Sequence, residues 1–145
     1  MEPSLQDVGL AVKRLQWRHH RDANRQLATL GVSLVQWDVL RHLDAEPEAS
    51  LHRLAVLTFQ TDQSMGELAR RMIERELLER VEGPGRAVRH RLTAAGEQVR
   101  AAGGALLDEV LEESFGGLSD RDRATLHRLL LRALEPGSPS TSPST

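Results

Sequence analysis

Cysteine is absent from this 145-residue chain, and so is tyrosine. Without cysteine there can be no disulfide, thiolate metal site or thiol redox switch. Only two Trp and two Phe are present, so the core has to be built from Leu, Val and Ala. Such side chains leave a monomer of this size modestly buried and favour a helical interface between copies. No apolar run is long enough for a membrane span and no signal peptide is visible, which points to a cytoplasmic protein. There is no Gly-rich phosphate loop and no carboxylate or histidine cluster at metal spacing, and nothing places Ser, His and Asp together, so neither catalysis nor a cofactor is expected. The six histidines form no His-x-x-x-His pair. His19 and His20 point in different directions on a helix, while His42, His52, His90 and His127 are scattered, and no metal site is expected.

What remains is rich in Ala, Leu, Glu and Arg, with three of the six prolines in the last ten residues. The expectation is a mainly α protein with one domain over residues 1–135. The tail PGSPSTSPST, residues 136–145, has nothing to bury and is expected to be disordered. The net charge of −2 is uninformative, but residues 70–91 hold seven arginines against four glutamates, and acidic residues gather at 108–113. A basic end and an acidic end suit a protein that turns one face to phosphate.

Residues 5–30 read as a helix with Leu5, Val8, Val12, Leu15, His19, Ala23, Leu27 and Leu30 on one stripe, closed by Gly31. So long and narrow a stripe calls for a partner helix. Ser33 caps a second helix to about Leu43, with Val35 or Gln36, Trp37, Leu40 and Leu43 inward. After a loop containing Pro47, Ser50 caps a short helix to Leu57. Thr58 to Asp62 breaks the apolar period, and a further helix follows from Thr61 to Glu76. There Met65, Leu68, Ala69, Met72 and Ile73 form the inward stripe, leaving Gln63, Ser64, Gly66, Glu67, Arg70 and Arg71 outside. Leu77, Leu78 and Val81, a Gly83-Pro84-Gly85 turn, and Val88 to Leu92 make a hairpin carrying Arg86, Arg89 and Arg91. Thr93 opens a long helix to Phe115 with Val99, Ala102, Leu106 and Val110 apolar. Its Gly103-Gly104 pair predicts a close helix approach or a bend. Gly116-Gly117 ends it, and Ser119 caps a last helix, Asp120 to Leu134, with Leu126, Leu129, Leu130 and Leu134 on its buried face.

Two short helices with a polar and basic outer face on the second, then an arginine-bearing hairpin, satisfy the requirements of a winged helix-turn-helix on DNA. This order resembles the MarR (multiple antibiotic resistance regulator) family. In that family the recognition helix ends in a Leu-x-x-x-Gly-Leu-(Val/Ile)-x-Arg run, the wing carries Asp-x-Arg, and Leu-Thr-x-x-Gly opens a dimerisation helix. Glu76-Leu77-Leu78-Glu79-Arg80, Arg86 and Leu92-Thr93-Ala94-Ala95-Gly96 stand in those places. Two positions depart: the usual glycine is Glu76, and the wing aspartate falls on Pro84.

The resemblance implies a homodimer built from residues 5–30 and 94–134, with 33–92 as the DNA-binding lobe. It implies a transcriptional regulator on a pseudo-palindromic operator, contacting double-stranded DNA through Gln63, Ser64, Gly66, Glu67, Arg70, Arg71, Arg86 and Arg89. It further implies release by a small anionic or phenolic effector, for which Trp17, Arg18 and His20 are the candidate pocket, with packing of Trp17 at the dimer seam as the alternative. The acidic balance and missing wing aspartate leave open a winged-helix protein-interaction module without DNA binding, and the histidines leave open a metal sensor.

Overall fold

The computed structural model describes residues 1–82, Gly85 and 88–137. Gly83, Pro84, Arg86, Ala87 and the tail beyond Gly137 lie outside the described residues. Among the described residues, six α-helices and one hairpin follow in order: α1 Leu5–Leu27, α2 Leu34–Ala45, α3 Leu51–Leu57, α4 Asp62–Glu74, β1 Leu78–Glu82, β2 Val88–Leu92, α5 Ala94–Phe115 and α6 Asp120–Leu134. The chain divides into two compact units, Met1–Val110 and Leu111–Thr145.

Local capping fixes most of these boundaries. Ser4 and Asp7 form a reciprocal capping box at the start of α1, and Ser33 and Gln36 form one at the start of α2. Ser50 and Thr61 each accept from the amide three residues on, opening α3 and α4. The first helix ends three residues earlier than its apolar pattern suggests, because Ala28–Leu30 tighten into a 3-10 turn before Gly31 at φ 75°.

In the first unit the core is Leu27, Val32, Trp37, Val39, Leu40 and Leu43 from the α1–α2 region, Leu54 and Ala55 from α3, Met65, Ala69 and Met72 from α4, and Leu77 and Leu78 at the hairpin. Val39 is fully buried although the inward stripe expected for α2 omits it. Trp37 is the long-range fastener. Its indole N–H donates to the Arg100 carbonyl of α5 at 3.0 Å, and a Cβ on Gly103 would lie 2.3 Å from the indole Cδ1. The costly glycine in α5 therefore leaves the room in which Trp37 lies against the helix. Ala102, expected inward, is exposed, and Gly103 takes the buried position.

The long stripe of α1 is buried only at its end. Ala23 and Leu27 are buried, whereas Leu5, Val8 and Val12 are 92, 52 and 49% exposed. In the second unit Ser119 caps α6 and Arg123 pairs with Asp120. The buried face expected of this helix is not buried in the single chain: Leu126 is half-covered, and Leu129, Leu130 and Leu134 are exposed. Both stripes have helical periodicity, but the described residues leave Leu5, Val8 and Val12 of the first and Leu129, Leu130 and Leu134 of the second exposed.

Candidate nucleic-acid interface

Helix α4 rests on α3. Met65, Ala69 and Met72 are buried over Leu54 and Ala55. The hydroxyl of Thr58, itself buried, donates to the Leu54 carbonyl at 2.6 Å and lies 3.8 Å from the Met65 sulfur. The turn is rigid on its other side too, where the Gln60 amide donates to the Ala55 carbonyl at 2.8 Å. A helix held this way can present its outer face only in one orientation.

On that face Gln63, Ser64, Glu67, Arg70 and Arg71 are all exposed. Arg70 donates to Glu74 one turn on at 3.0 Å, both side chains being more than half exposed. Such a pair contributes little to stability and is easily exchanged for another anion. Arg71 has no ion-pair partner among the described residues. Gly66 is not on this outer face: it is half-buried, turned toward Leu51 of α3. An added Cβ there would meet Leu51 only at 3.9 Å, so close backbone approach does not require the glycine.

The hairpin pairs Leu78 with Leu92, Arg80 with His90 and Glu82 with Val88 in antiparallel register. Opposite residues share a face, so Leu78, Arg80, Val88, His90 and Leu92 lie on one side and Glu79, Val81, Arg89 and Arg91 on the other. The first side faces α4 across an open pocket of about 590 Å³ lined by Leu51, Gly66, Ala69, Arg70, Ile73, Glu74, Arg80, Val88 and His90. His90 is buried there, and its Nδ1 has no hydrogen-bond partner among the described residues. Burial and the neighbouring Arg80 cation both hold its pKa below the ordinary histidine value.

The second side differs from the expected row of projecting arginines. Arg91 is tied to Glu79 across the strands. Arg89 is half-buried and borders a recess with Glu46, Glu48 and Arg53.

The α1 residues Trp17, Arg18 and His20 are exposed, and Trp17 stacks on His20 with ring centroids 6.3 Å apart and planes at 20°. The residue that ties this cluster to the core is Asn24, which the apolar stripe did not single out. Its amide contacts His20 Nε2 at 3.1 Å, and its carbonyl oxygen accepts from the Leu34 amide at 2.8 Å. The stack is thereby anchored to the first turn of α2. Among the described residues no group of three His, Asp or Glu is placed to hold a metal ion, and no described helix is long and apolar enough to cross a membrane.

A buttressed helix followed at once by an antiparallel hairpin defines a winged helix-turn-helix. Residues 30–87 match the MarR family model, and the described residues have the winged helix-turn-helix fold. The fold is shared with solved structures. A MarR-family transcriptional regulator from Rhodococcus sp. superposes with a TM-score of 0.82 at 20% identity, covering 94% of this chain and 100% of that one. CouR from Rhodococcus jostii, bound to p-coumaroyl-CoA, gives 0.82 at 20% identity over 94% and 99%. A mutant MarR from E. coli complexed with operator DNA gives 0.77 at 20% identity over 88% and 93%. No curated protein matches the chain.

Proposed function

We propose that this protein is a transcriptional regulator that binds a pseudo-palindromic operator as a homodimer, with α4 in the major groove and the hairpin wing in the flanking minor groove. The observation that carries the reading is the outer face of α4, where Gln63, Ser64, Glu67, Arg70 and Arg71 are exposed on a helix whose opposite face is buried in the core. Arginine in the major groove donates in pairs to guanine, and the polar first turn offers free amides to phosphate. Arg89 on the hairpin, together with Arg86, would add backbone and minor-groove contacts. The fold it shares with a MarR complexed with operator DNA supports the DNA-binding reading.

Dimerisation is proposed through residues 5–30 and 94–134, since Leu5, Val8 and Val12 of α1 and Leu129, Leu130, Leu131 and Leu134 of α6 are exposed apolar rows that a second copy would cover. Release by a small anionic or phenolic effector at Trp17, Arg18 and His20 is supported by the exposed indole–imidazole stack beside a cation. A relative of this fold holds p-coumaroyl-CoA.

Selection of duplexes from a random-sequence library by the full chain, followed by mobility-shift titration, tests the function. A palindromic consensus bound more tightly than random duplex is the expected result. Enrichment of no sequence, with no retention on random duplex at low salt, would refute it. Sedimentation at micromolar concentration tests the dimer, which a monomeric mass would contradict.

A further inference from the structure

Phe59 sits in the turn between α3 and α4, two residues before the Thr61 cap of the recognition helix, and is 95% exposed. Its backbone is left-handed at φ 58°, a region in which a bulky side chain is strained and glycine is not. Folding gains nothing from phenylalanine here, because the ring buries almost no surface and the backbone would relax with a smaller residue. Both neighbours nonetheless hold the position firmly. Thr58 is buried and bonded to Leu54, and Gln60 is bonded through its amide to Ala55 and through its side chain to the Thr58 carbonyl. Val56, 52% exposed, precedes it at the end of α3, and its carbonyl accepts from the Phe59 amide at 3.3 Å. The turn presents an apolar ring, fixed at its base, beside the N-terminal end of α4.

In a helix-turn-helix the N-terminal residues of the second helix approach the base edges, so the residue just before that helix stands at the groove wall. The apolar surfaces offered there are thymine 5-methyl groups and the CH faces of deoxyribose. A protein partner is a poorer match. Two apolar residues beside the exposed polar Asp62, Gln63 and Ser64 fall far short of the area a specific protein interface needs.

We propose that Phe59 is a DNA-contacting residue, an apolar prong that packs against the duplex at the entry of the recognition helix and contributes affinity without contributing charge. This rests on the DNA-binding reading above.

The test uses the full-length protein and the duplex it selects from a random library. Phe59→Gly relieves the left-handed backbone, so its melting temperature should equal or exceed that of the wild type, while its affinity should fall about tenfold. The slope of log affinity against log salt should stay the same, because no cation is removed. Replacing thymine by uracil separates the two surfaces. If methyl groups are contacted, the wild type loses affinity on the uracil duplex and Phe59→Gly does not. If deoxyribose is contacted, the wild type is indifferent to uracil and Phe59→Gly still binds about tenfold more weakly. Affinity of Phe59→Gly within about twofold of the wild type on a duplex the wild type binds overturns the proposal and leaves the DNA-binding reading intact. A wild type that selects no duplex overturns both.

Discussion

The carbonyl oxygen of Leu77 occupies the place where a side chain at residue 96 would begin: a Cβ on Gly96 would stand 2.1 Å from it. Thr93 completes the junction. Its amide donates to the Leu77 carbonyl at 3.1 Å, its hydroxyl donates to the Glu76 carbonyl, and the Thr93 Oγ1 also accepts from the Gly96 amide at 3.0 Å. The Leu-Thr-x-x-Gly run is thus a clamp that seats the start of α5 on the end of the recognition-helix segment. Gly96→Ala is expected to destabilise the protein by about 1–3 kcal/mol, since the atom in the way is backbone and cannot rotate aside. Urea denaturation measures this, and an unchanged midpoint would show that α5 slides without cost.

Glu76 is left-handed at φ 60° and exposed, at the position where the resembled family carries glycine. The backbone there demands what glycine supplies. Glu76→Gly should stabilise the folded chain by roughly 0.5–1 kcal/mol, the relief of strain being partly offset by the greater freedom of glycine in the unfolded chain. A thermal melt reads the change, and a lower melting temperature would contradict it.

His90, buried beneath the hairpin, has its pKa lowered from the ordinary 6.5 first by burial and then by Arg80. A depressed histidine binds its proton in the unfolded chain before the folded one. Stability is therefore full above about 6.5 and falls as pH drops through that value toward the lower folded one. Arg70 and Glu74 of α4 line the same pocket as Arg80, so protonated His90 would meet two cations and one carboxylate. His90→Val should flatten the loss of melting temperature between about pH 7.5 and pH 5.5. It should not abolish that loss, because burial also lowers His19 and His42. Identical acid slopes for variant and wild type would show that His90 is not the group responsible.

Arg70 and Arg71 differ in what DNA binding asks of them. Arg70 must leave Glu74, 3.0 Å away, whereas Arg71 is without an ion pair among the described residues. Arg70→Ala and Arg71→Ala should each weaken a selected duplex by roughly 1–3 kcal/mol if they read bases, and a phosphate contact instead lowers the salt slope by about one. Glu74→Gln should tighten binding, because it frees Arg70 and removes a negative charge near the duplex. Anisotropy titrations across a salt series distinguish these results, and neither arginine mattering would remove α4 from the interface.

What the sequence determined by itself was whatever depends on neighbours a few residues away. Ser33, Ser50, Thr61 and Ser119 start their helices where hydroxyl-to-amide capping places them. The Met65, Ala69, Met72 stripe of α4 and the alternation of the hairpin follow from helical and strand periods. Tertiary structure alone decided the rest. Gly66 turns toward Leu51 and not outward, Gly103 and Gly96 exist for Trp37 and for the Leu77 carbonyl, and Asn24 joins α1 to Leu34. Contacts such as these join residues as many as 63 positions apart, and no local period records which atoms will meet across that distance. The apolar rows of α1 and α6 mark the same boundary: periodicity shows that they want covering, and the single chain leaves them exposed.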